Sequence, residues 1–557
     1  MSAQTNNPVR VPPPRRRMVR QMLVVLALAV AIRLPLTQFP MGPSAGTIGY
    51  VGQRWLEGAV PYRDAWDHEA PGLYLLSGVT VRYLAPAGAR LEQALANLLV
   101  GQPGASPRVT PGEAMPETCR VVMMALDLIG VLLVYAFVRA WCGHTEAVVA
   151  AGVCGFFGGA LLVQGDCLGP WPAVNCLVIT AMLAALRSEG RDARWLLASG
   201  LLAGLAACFE LLALFYALAI VAWAAATRWG VDGWGRRWVL RPALVLGAAA
   251  VPLAGFAVYF WSRGALHELW RSAVVYNMLY RWLPVALRTP GYHWQVVRSL
   301  APEQGALWLF AGGWALHAFS VGFSPQTRLV AYWGVAALAA ALTTRQVVPA
   351  DFLQVVPPLA IGAALAATNP SERFMTRDAR GRLETRSIML ALLAAGMAAG
   401  FVYTEWRAYH TYASRAEDRA ERAAATVADM IRDRTMPGHP IYVWGAGPQI
   451  YVLADRPAAH RIFYNRPLNA SRVVKEYFGL GVFEDICRAL IRAEPVFFVT
   501  TEDALPEAPD LEGPLSLWFR FMRERVEGRE RYEGKPWRME ETRPYLLYVR
   551  KDRSLMP

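Results

Sequence analysis

The chain has 557 residues, of which 55% are hydrophobic and only 18% are charged, and its mean hydropathy is +0.26. That composition is too apolar for a soluble protein of this length, so it predicts a polytopic membrane protein. The net charge of +13 comes almost entirely from Arg, because Lys occurs only at positions 475, 535 and 551. Much of the Arg lies beside apolar runs, where it orients membrane helices, so the charge does not indicate a nucleic-acid partner. The seven Cys are scattered without metal-site or disulfide-scaffold spacing.

A helix needs about 20 predominantly apolar residues to cross the roughly 30 Å hydrocarbon core of a bilayer. The sequence contains about eleven such segments, at 20–38, 118–138, 146–164, 168–187, 194–208, 210–227, 240–260, 304–322, 327–344, 352–368 and 387–404. The stretch 194–228 is too long for one span and is interrupted near Phe209, so we interpret it as a hairpin of two spans. The first segment begins like a signal peptide, but Arg33 and Pro35 stand where a cleavage site needs small residues. We therefore expect an uncleaved first helix.

The distribution of Arg over the short loops predicts the orientation of the spans. Arg clusters precede the first span and recur in alternate loops, at 10–20, 187–194, 228–241 and 373–386. With eleven spans, all of these loops are cytoplasmic, and so is the N-terminus. The long loops 39–117 and 261–303 and everything after residue 405 then face the extracytoplasmic side.

The composition changes after the last span and predicts a second domain. We assign residues 1–404 to a membrane domain with a first outer loop at 39–117, and residues 405–557 to a small extracytoplasmic α/β domain. Residues 405–434 have the pattern of a solvated amphipathic helix. Short apolar runs predict strands at 441–444, 461–464, 496–500 and 545–549, with helix-like segments at 472–480 and 483–493. The predicted fold class is therefore mainly α, a polytopic helical membrane protein with a small outer α/β domain.

The most informative segment is 49–76, in the first outer loop. The apolar spacing from Tyr50 to Leu56 suggests a helix on the membrane surface that ends at Gly58. A turn then presents a dense polar cluster, made of Tyr62, Arg63, Asp64, Asp67, His68 and Glu69. An apolar stretch at 72–84 returns to the interface. A charged loop is often only a solvated loop, but this cluster is held between two interfacial elements, which favours a functional interpretation.

This segment, VGQRWLEGAVPYRDAWDHEAPGLYLL at 51–76, resembles the first-loop signature of bacterial polyprenyl-phosphate-sugar-dependent glycosyltransferases of the GT-C superfamily. Relatives in that superfamily are the protein O-mannosyltransferases and the lipid A aminoarabinose transferases. The segment IYVWGAGPQIYVLADRPAAHRIFY at 441–464 is similar to the extracytoplasmic domain that often follows in this branch. The resemblance implies an enzyme of the bacterial cytoplasmic (inner) membrane. It would transfer a sugar, with inversion and without a nucleotide, from a polyprenyl-phosphate carrier to an extracytoplasmic glycan, lipid or protein.

Such a transfer needs a carboxylate that accepts the proton of the acceptor hydroxyl, and cationic groups that stabilise the departing lipid phosphate. The family has an Asp a few residues before the Tyr-x-Gly-Gln stretch, and here that position is Ser44. The family also usually has Lys at the positions of Glu69 and Glu210. One acid is therefore lost and two cations are replaced by anions, at positions where the resemblance implies catalysis and phosphate binding.

Three accounts follow from these departures. The base has moved to Asp64, Asp67 or Glu69 in the same loop, or the donor and acceptor differ from those of the family. In the third account the chain is a non-catalytic GT-C relative that acts as a binding or assembly subunit in envelope glycan or lipid biosynthesis. We favour the catalytic accounts, with Asp67 or Asp64 as the base. A transporter is disfavoured, because no paired discontinuous helices are evident in repeated halves of the sequence.

Further candidates lie elsewhere on the predicted outer side. Asp166 follows the third span and is the expected second acid, which orients the acceptor; the alternative is a cap on the helix that starts near Gly169. An acid at the depth of Glu210 is costly unless it is paired or wet, so it is a functional candidate. The expected substrate-binding residues are Tyr62, Arg63, His68, Glu69, Glu210, Arg281 and Arg288, of which Arg63, His68, Arg281 and Arg288 would contact the donor phosphate. Guanidinium binds phosphate bidentately, but interfacial Arg also contacts membrane lipids.

Two pairs of charged residues in or beside spans complete the candidates. Arg120 and Asp127 are seven residues apart on the second span, and we interpret them as an intramembrane ion pair. Arg345 and Asp351 precede the tenth span and are weaker candidates for donor binding. The acidic and His side chains of the first loop, Asp64, Asp67 and His68, have the chemistry of metal ligands, but such clusters are usually hydrogen-bonded without metal. A divalent metal is therefore left open but is not indicated, and no other cofactor is predicted.

Overall fold

The computed structural model describes residues 15–90, 111–232, 236–280, 290–343, 348–368, 381–414, 416–445, 447–469, 473–501, 518, 520–527 and 543–551. The helices of these ranges are α1 Arg15–Arg33, α2 Pro43–Leu56, α3 Pro71–Val79, α4 Pro111–Arg139, α5 His144–Phe157, α6 Leu161–Gln164, α7 Trp171–Ser188, α8 Ala193–Ala207, α9 Leu214–Asp232, α10 Arg236–Ser262, α11 Leu266–Leu269, α12 Asn277–Tyr280, α13 Pro290–Val321, α14 Pro325–Thr343, α15 Val356–Thr368, α16 Gly381–Ser414, α17 Ala416–Asp433, α18 Gln449–Ala454 and α19 Val482–Ala493. Tighter 3-10 turns lie at Leu34–Gln38, Leu211–Ala213, Pro349–Gln354 and Arg466–Asn469, and wider π turns at Thr80–Leu84, Trp270–Tyr276, Val474–Phe478 and Met522–Glu527.

All eleven predicted apolar segments lie on helices of the structure. In the described ranges, five helices are long and apolar enough to cross a membrane, namely Arg15–Gln38, Met115–Arg139, Trp171–Ser188, Leu240–Ser262 and Ile388–Arg407. Four shorter apolar helices accompany them, His144–Phe157, Ala193–Ala207, Leu211–Ala226 and Val356–Thr368. The predicted hairpin within 194–228 is present as α8 and α9, separated by a 3-10 turn. The prediction of a mainly α chain is confirmed, while the count of eleven crossings stays a prediction.

The first outer loop folds into two helices that cross at close range. Helix α2 has Pro43 at its first turn, where a missing backbone N–H costs nothing, and ends before Gly58, whose φ of +103° suits glycine. A Cβ on Gly52 would lie 2.3 Å from the carbonyl oxygen of Tyr74, and one on Gly78 would lie 2.4 Å from that of Gly52. The backbones of α2 and α3 therefore touch at a crossing that admits only glycine, and this contact fixes the loop between them.

The C-terminal domain, called the outer domain after its predicted location, contains a three-stranded sheet in the order β1 Ile441–Trp444, β2 Phe497–Thr501 and β3 Tyr545–Val549. β1 and β2 are parallel, with Ile441 opposite Phe497, and β2 and β3 are antiparallel, with Phe497 opposite Val549. Three of the four predicted strands are thus confirmed. The fourth, 461–464, is wrong, because this segment does not join the sheet, and the carbonyl oxygen of Arg461 accepts a hydrogen bond from Trp66 of the first outer loop. The predicted domain boundary at residue 405 falls inside α16.

The outer domain packs directly on the first outer loop. The hydroxyl of Tyr50 accepts a 2.7 Å hydrogen bond from the backbone N–H of Ala458, and the side-chain amide of Gln53 donates to Asp455. A Cβ on Gly46 would lie 2.4 Å from the Cα of Gln449, so α2 touches α18 backbone to backbone. The loop and the outer domain share one hydrophobic core, and the membrane helices α5, α7, α8, α9 and α15 form a second one. The first outer loop is therefore held in place by the outer domain.

Candidate functional site

A cavity of about 390 Å3 lies where the start of α2, the helix α4, the loop after α6 and the turn before α15 meet. Part of its wall is apolar, with Leu36, Ile48, Met123, Met124 and Leu353 among the lining residues. Its charged lining consists of the carboxylates of Glu69, Asp166, Glu210 and Asp351 and the guanidinium groups of Arg33, Arg120 and Arg466. The size and the combination of apolar wall and convergent polar groups are those of a ligand site.

Asp166 reaches this cavity from the loop between α6 and α7. The preceding Gly165 has a φ of +60°, a left-handed conformation that turns the chain sharply after α6. The Oδ1 atom of Asp166 accepts hydrogen bonds from the backbone N–H groups of Gly42 at 3.0 Å and Cys167 at 2.7 Å, and Oδ2 accepts one from Ala45 at 2.8 Å. The carboxylate is therefore held rigidly at the N-terminus of α2, where the helix dipole favours a negative charge.

This position excludes one of the two interpretations of Asp166, while its role as a second acid stays a prediction. Helix α7 starts at Trp171 without a side-chain cap, so the expected cap near Gly169 is not formed by Asp166. Instead, the carboxylate bonds the backbone on both sides of Ser44, at Gly42 and Ala45, and Ser44 also lines the cavity. The structure thus brings an acid from a distant loop next to the position at which the resembling family has its Asp.

Glu69 lines the same cavity, and aromatic side chains fix its backbone. The hydroxyl of Tyr62 donates a 2.8 Å hydrogen bond to the Glu69 carbonyl oxygen, and the Glu69 N–H donates a 3.0 Å bond to the hydroxyl of Tyr74. The Oε1 atom of Glu69 lies 3.7 Å from the Nε2 atom of His68. With both backbone groups bonded and the side chain largely buried, Glu69 has a defined position at the cavity wall.

Asp67 is buried beside the cavity rather than in its lining. Its Oδ1 atom accepts hydrogen bonds from the hydroxyl of Tyr464 at 3.0 Å and the Nδ1 atom of His68 at 2.9 Å, and its Oδ2 atom accepts one from Tyr74 at 2.9 Å. Burial raises the pKa of Asp67, but the neighbouring His68 and the hydrogen bonds from His68 and Tyr74 outweigh burial and hold the pKa below its usual value. The geometry is that of a carboxylate that positions His68 and Glu69.

A consequence for stability follows from the lowered pKa of Asp67. A carboxyl group whose pKa is lower in the folded than in the unfolded chain stabilises the fold above the unfolded pKa of about 3.9, and the stabilisation is lost as the pH falls through the folded pKa. We expect wild-type protein in detergent to exceed Asp67→Asn in melting temperature at pH 5, with the difference narrowing towards pH 3. Asp485→Asn, at an exposed carboxylate, is the control. A difference in melting temperature that is the same at pH 5 and pH 3 would contradict the lowered pKa of Asp67.

Asp64 and Arg63 form an exposed ion pair outside the cavity. The Nε and Nη2 atoms of Arg63 lie 2.8 and 3.0 Å from the two carboxylate oxygens of Asp64, and Nη1 donates to the carbonyl oxygen of Arg263. The bond from Arg63 lowers the pKa of Asp64, so this carboxylate is a weak proton acceptor. Neither residue lines the large cavity, and their predicted roles as base and donor contact stay predictions.

Two more predicted carboxylates line the cavity. Glu210 caps the 3-10 turn Leu211–Ala213, where its Oε1 atom accepts a 3.3 Å hydrogen bond from the N–H of Leu212. Asp351 caps the turn Pro349–Gln354 and accepts from the N–H of Val348 at 3.1 Å. Both acids are therefore fixed by local backbone bonds, and both contribute negative charge to the cavity. Their roles in binding are still predictions.

The expected ion pair between Arg120 and Asp127 is wrong. Asp127 is instead paired with Arg33 of α1, whose Nε atom lies 3.4 Å from the Oδ2 atom of Asp127. The side-chain amide of Gln164 donates a 2.8 Å hydrogen bond to the same Oδ2 atom. Arg120 lines the cavity and donates to the carbonyl oxygens of Phe39 and Pro40 through Nε and Nη2. Its Nη1 group has no hydrogen bond to any residue of the described ranges, so it is available to a ligand.

Arg466 is a cavity residue that the sequence interpretation did not single out. It follows the segment 461–464 and belongs to the turn Arg466–Asn469, and its guanidinium has no hydrogen-bond or ion-pair partner in the described part of the chain. Its only signal in the sequence is its place two residues after the end of the outer-domain segment that carries the family resemblance. The predicted donor contacts Arg281 and Arg288, and Arg345, lie outside the described residues.

The described residues contain no group of three or more His, Cys, Asp or Glu side chains placed to hold a metal ion. Of the candidates for substrate contact that the structure describes, Asp166, Glu69 and Glu210 meet in the cavity. Tyr62 and His68 lie behind them, where they support the backbone and side chain of Glu69. The site therefore combines fixed carboxylates with two guanidinium groups, Arg120 and Arg466, that have donor capacity left.

No protein-family model and no curated protein matches the chain. Its fold is similar to that of ArnT from Cupriavidus metallidurans in the apo state, with a TM-score of 0.52 and 15% identity over 96% of this chain and 98% of that chain. ArnT bound to undecaprenyl phosphate gives a TM-score of 0.50 and 16% identity over 96% and 97% of the chains. The oligosaccharyltransferase of Archaeoglobus fulgidus, in complex with Zn and sulfate, gives 0.50 and 13% over 86% of this chain and 68% of that chain.

Both solved proteins are GT-C membrane proteins, so the predicted GT-C-like fold is confirmed. The likeness to ArnT extends over almost the whole of both chains, the outer domain included. The chain is a polytopic helical membrane protein with a small outer α/β domain. At these sequence identities the likeness describes the fold, and the chemistry has to be argued from the cavity.

Proposed function

We propose that the chain is a membrane glycosyltransferase that transfers a sugar from a polyprenyl-phosphate donor to an extracytoplasmic acceptor. The observation that carries the proposal is the position of Asp166, whose carboxylate bonds the backbone on both sides of Ser44. The resembling family has an Asp at the position of Ser44. In this proposal Asp166 replaces that Asp from a different loop. The chain would lie in the bacterial cytoplasmic membrane with its N-terminus inside and its outer domain outside.

Asp166 is the general base in this proposal. Each carboxylate oxygen has two acceptor sites, and the backbone bonds from Gly42, Cys167 and Ala45 occupy three of the four. The remaining site on Oδ2 is free to accept the proton of the acceptor hydroxyl, and the three backbone bonds aim it without any need for rearrangement. The hydroxyl oxygen then attacks C1 of the sugar, and the bond from C1 to the phosphate oxygen breaks. Glu69 orients the acceptor from the opposite wall.

Arg120 and Arg466 bind the donor phosphate. The charge on the phosphate grows as the bond to the sugar breaks, and guanidinium groups that line the cavity stabilise that charge. Arg120 is oriented by two backbone carbonyls and Arg466 comes from the outer domain, so the two approach from different elements. They supply the positive charge that the family usually has from Lys at the positions of Glu69 and Glu210. The prenyl chain would lie along the apolar wall of the cavity, at Met123 and Met124.

The test of the proposal is the binding of undecaprenyl phosphate to the purified protein, measured by native mass spectrometry. A hydrogen bond from a charged group contributes about 1.5–3 kcal/mol, so we expect Arg120→Gln and Arg466→Gln each to raise the Kd by about 10- to 100-fold. Arg187→Gln is the matched control, because its guanidinium stacks on Trp195 outside the cavity. Equal binding by all three variants, or equal binding of undecaprenol without phosphate, would refute the assignment of the phosphate site.

A further inference from the structure

A second, smaller cavity of about 90 Å3 lies outside the one described above. It is enclosed by the first outer loop, the helical segment 266–276 and the outer domain. It shares no lining residue with the large cavity. Three separate parts of the chain therefore meet at it, and its chemistry differs from that of the donor cavity.

One wall of the second cavity is aromatic and held in place. Trp66 is buried, and its ring contacts the edge of Phe478 with ring centroids 4.8 Å apart. The backbone N–H of Trp66 donates a 2.9 Å hydrogen bond to the carbonyl oxygen of Arg461, and its indole N–H lies 3.4 Å from the hydroxyl of Tyr477. Trp66 thereby supports the partly exposed ring of Phe478, which also lines the cavity. An aromatic ring held in this way packs against the C–H face of a sugar ring, because both are apolar and flat.

The opposite wall carries two guanidinium groups. Arg271 donates a 2.7 Å hydrogen bond through Nη2 to the carbonyl oxygen of Tyr477 and lies 4.9 Å above the ring of that residue, which orients it. The side chain of Arg461 is exposed and has no polar partner among the described residues. Neither guanidinium is paired with a carboxylate in the described ranges. The oriented guanidinium of Arg271, together with the exposed guanidinium of Arg461 on the same cavity, binds a carboxylate or phosphate group.

The cavity also contains a carboxylate oxygen that accepts no hydrogen bond from the described residues. The Oε2 atom of Glu268 is buried, and no group in the described part of the chain donates a hydrogen bond to it. A buried carboxylate oxygen that lacks a donor is costly, so a hydroxyl group from a ligand would be favourable there. The cavity thus offers a place for an anionic group, a place for a hydroxyl and an apolar aromatic wall.

We propose that this second cavity binds an acidic sugar unit of the acceptor, such as a hexuronate. Its carboxylate pairs with Arg271 and Arg461, a ring hydroxyl donates to Glu268, and its C–H face packs on Phe478. The inference rests on the proposed sugar transfer, because it assigns the acceptor class of that reaction. Trp66 and His68 lie between the two cavities, with their ring centroids 6.1 Å apart, and the Nε2 atom of His68 lies 3.7 Å from Glu69 in the large cavity.

The test is binding of D-glucuronate to the full-length protein in detergent, measured by saturation-transfer difference NMR. We expect saturable binding of glucuronate and none of glucose at the same concentrations. Arg461→Gln and Glu268→Gln should each weaken glucuronate binding by about tenfold or more, whereas Arg488→Gln, at an exposed ion pair of α19, should not change it. Both Arg461→Gln and Glu268→Gln should bind undecaprenyl phosphate like the wild type.

Equal binding of glucose and glucuronate, or unchanged binding in both cavity variants, would overturn the assignment of this site and leave the proposed sugar transfer standing. Inorganic phosphate that competes as well as glucuronate would overturn the sugar assignment, because phosphate lacks the ring that packs on Phe478. A wild-type protein that binds glucuronate but does not bind undecaprenyl phosphate would instead refute the proposed donor. The two proposals therefore fail separately.

Discussion

Asp166→Asn is expected to reduce sugar transfer by about 10²- to 10⁴-fold, the range over which a positioned general base contributes. An amide accepts no proton at neutral pH, yet its oxygen keeps the hydrogen bonds from Gly42 and Cys167. The bond to Ala45 is lost, which costs about 1–3 kcal/mol of stability and leaves the protein folded. Binding of undecaprenyl phosphate should be unchanged or stronger, because a negative charge beside the phosphate has been removed.

The matched control is Asp192→Asn. Asp192 also caps a helix, α8, and accepts a 2.9 Å hydrogen bond from the N–H of Arg194, but it lies outside the cavity. Both substitutions remove a capping carboxylate, so both report the cost of a weakened cap. Only Asp166→Asn should lose transfer. A loss of the same size in both variants would assign Asp166 a role in folding alone.

The second large effect concerns the ion pair between Arg33 and Asp127. Both side chains are almost inaccessible, at 3% and 5% exposure, and Arg33 also donates to the carbonyl oxygens of Ala29 and Gly155. Removing one partner leaves the other charge buried, which costs about 3–5 kcal/mol. We expect Asp127→Leu to lower the melting temperature in detergent strongly, because Arg33 is then unpaired. Asp127→Leu should also disturb the wall of the large cavity, because Arg33 is one of its lining residues.

A double variant separates the pair from its surroundings. Arg33→Met combined with Asp127→Leu replaces both charges by apolar side chains of similar size, and such exchanges are often neutral. We therefore expect the double variant to recover most of the stability that Asp127→Leu loses. Glu484→Gln breaks an exposed pair and should cost less than about 1 kcal/mol. Additive losses in the double variant would show that the two residues do not interact.

The helices were predictable because each carries its own signal. A span of about 20 apolar residues, or a loop helix closed by Gly58, is encoded locally, and all eleven predicted segments lie on helices. Three of the four strands were predictable for the same reason. The segment 461–464 has the composition of a strand, but tertiary contacts with Trp66 decide its conformation, and these override a local preference.

The site was predictable only in part, because its decisive contacts join residues far apart in sequence. The first outer loop was identified as functional from its polar cluster, and Glu69 does reach the cavity. The same cluster gave no sign that Asp67 is enclosed by Tyr74 and by Tyr464, 397 residues away. Asp166 meets Gly42 across 124 residues, and Arg33 meets Asp127 across 94. A single sequence contains no signal for such pairings.

The most direct test of the proposed function is the release of polyprenyl phosphate from polyprenyl-phosphate sugars. These donors would be extracted from membranes of the native host and incubated with purified protein and an extract of envelope glycans and lipids. We predict that the wild type and Asp192→Asn convert the donors, while Asp166→Asn binds them and converts them at least 100-fold more slowly. Equal conversion by Asp166→Asn, or no conversion by a wild type that binds the donor, would contradict the account of this protein as a glycosyltransferase with Asp166 as its base.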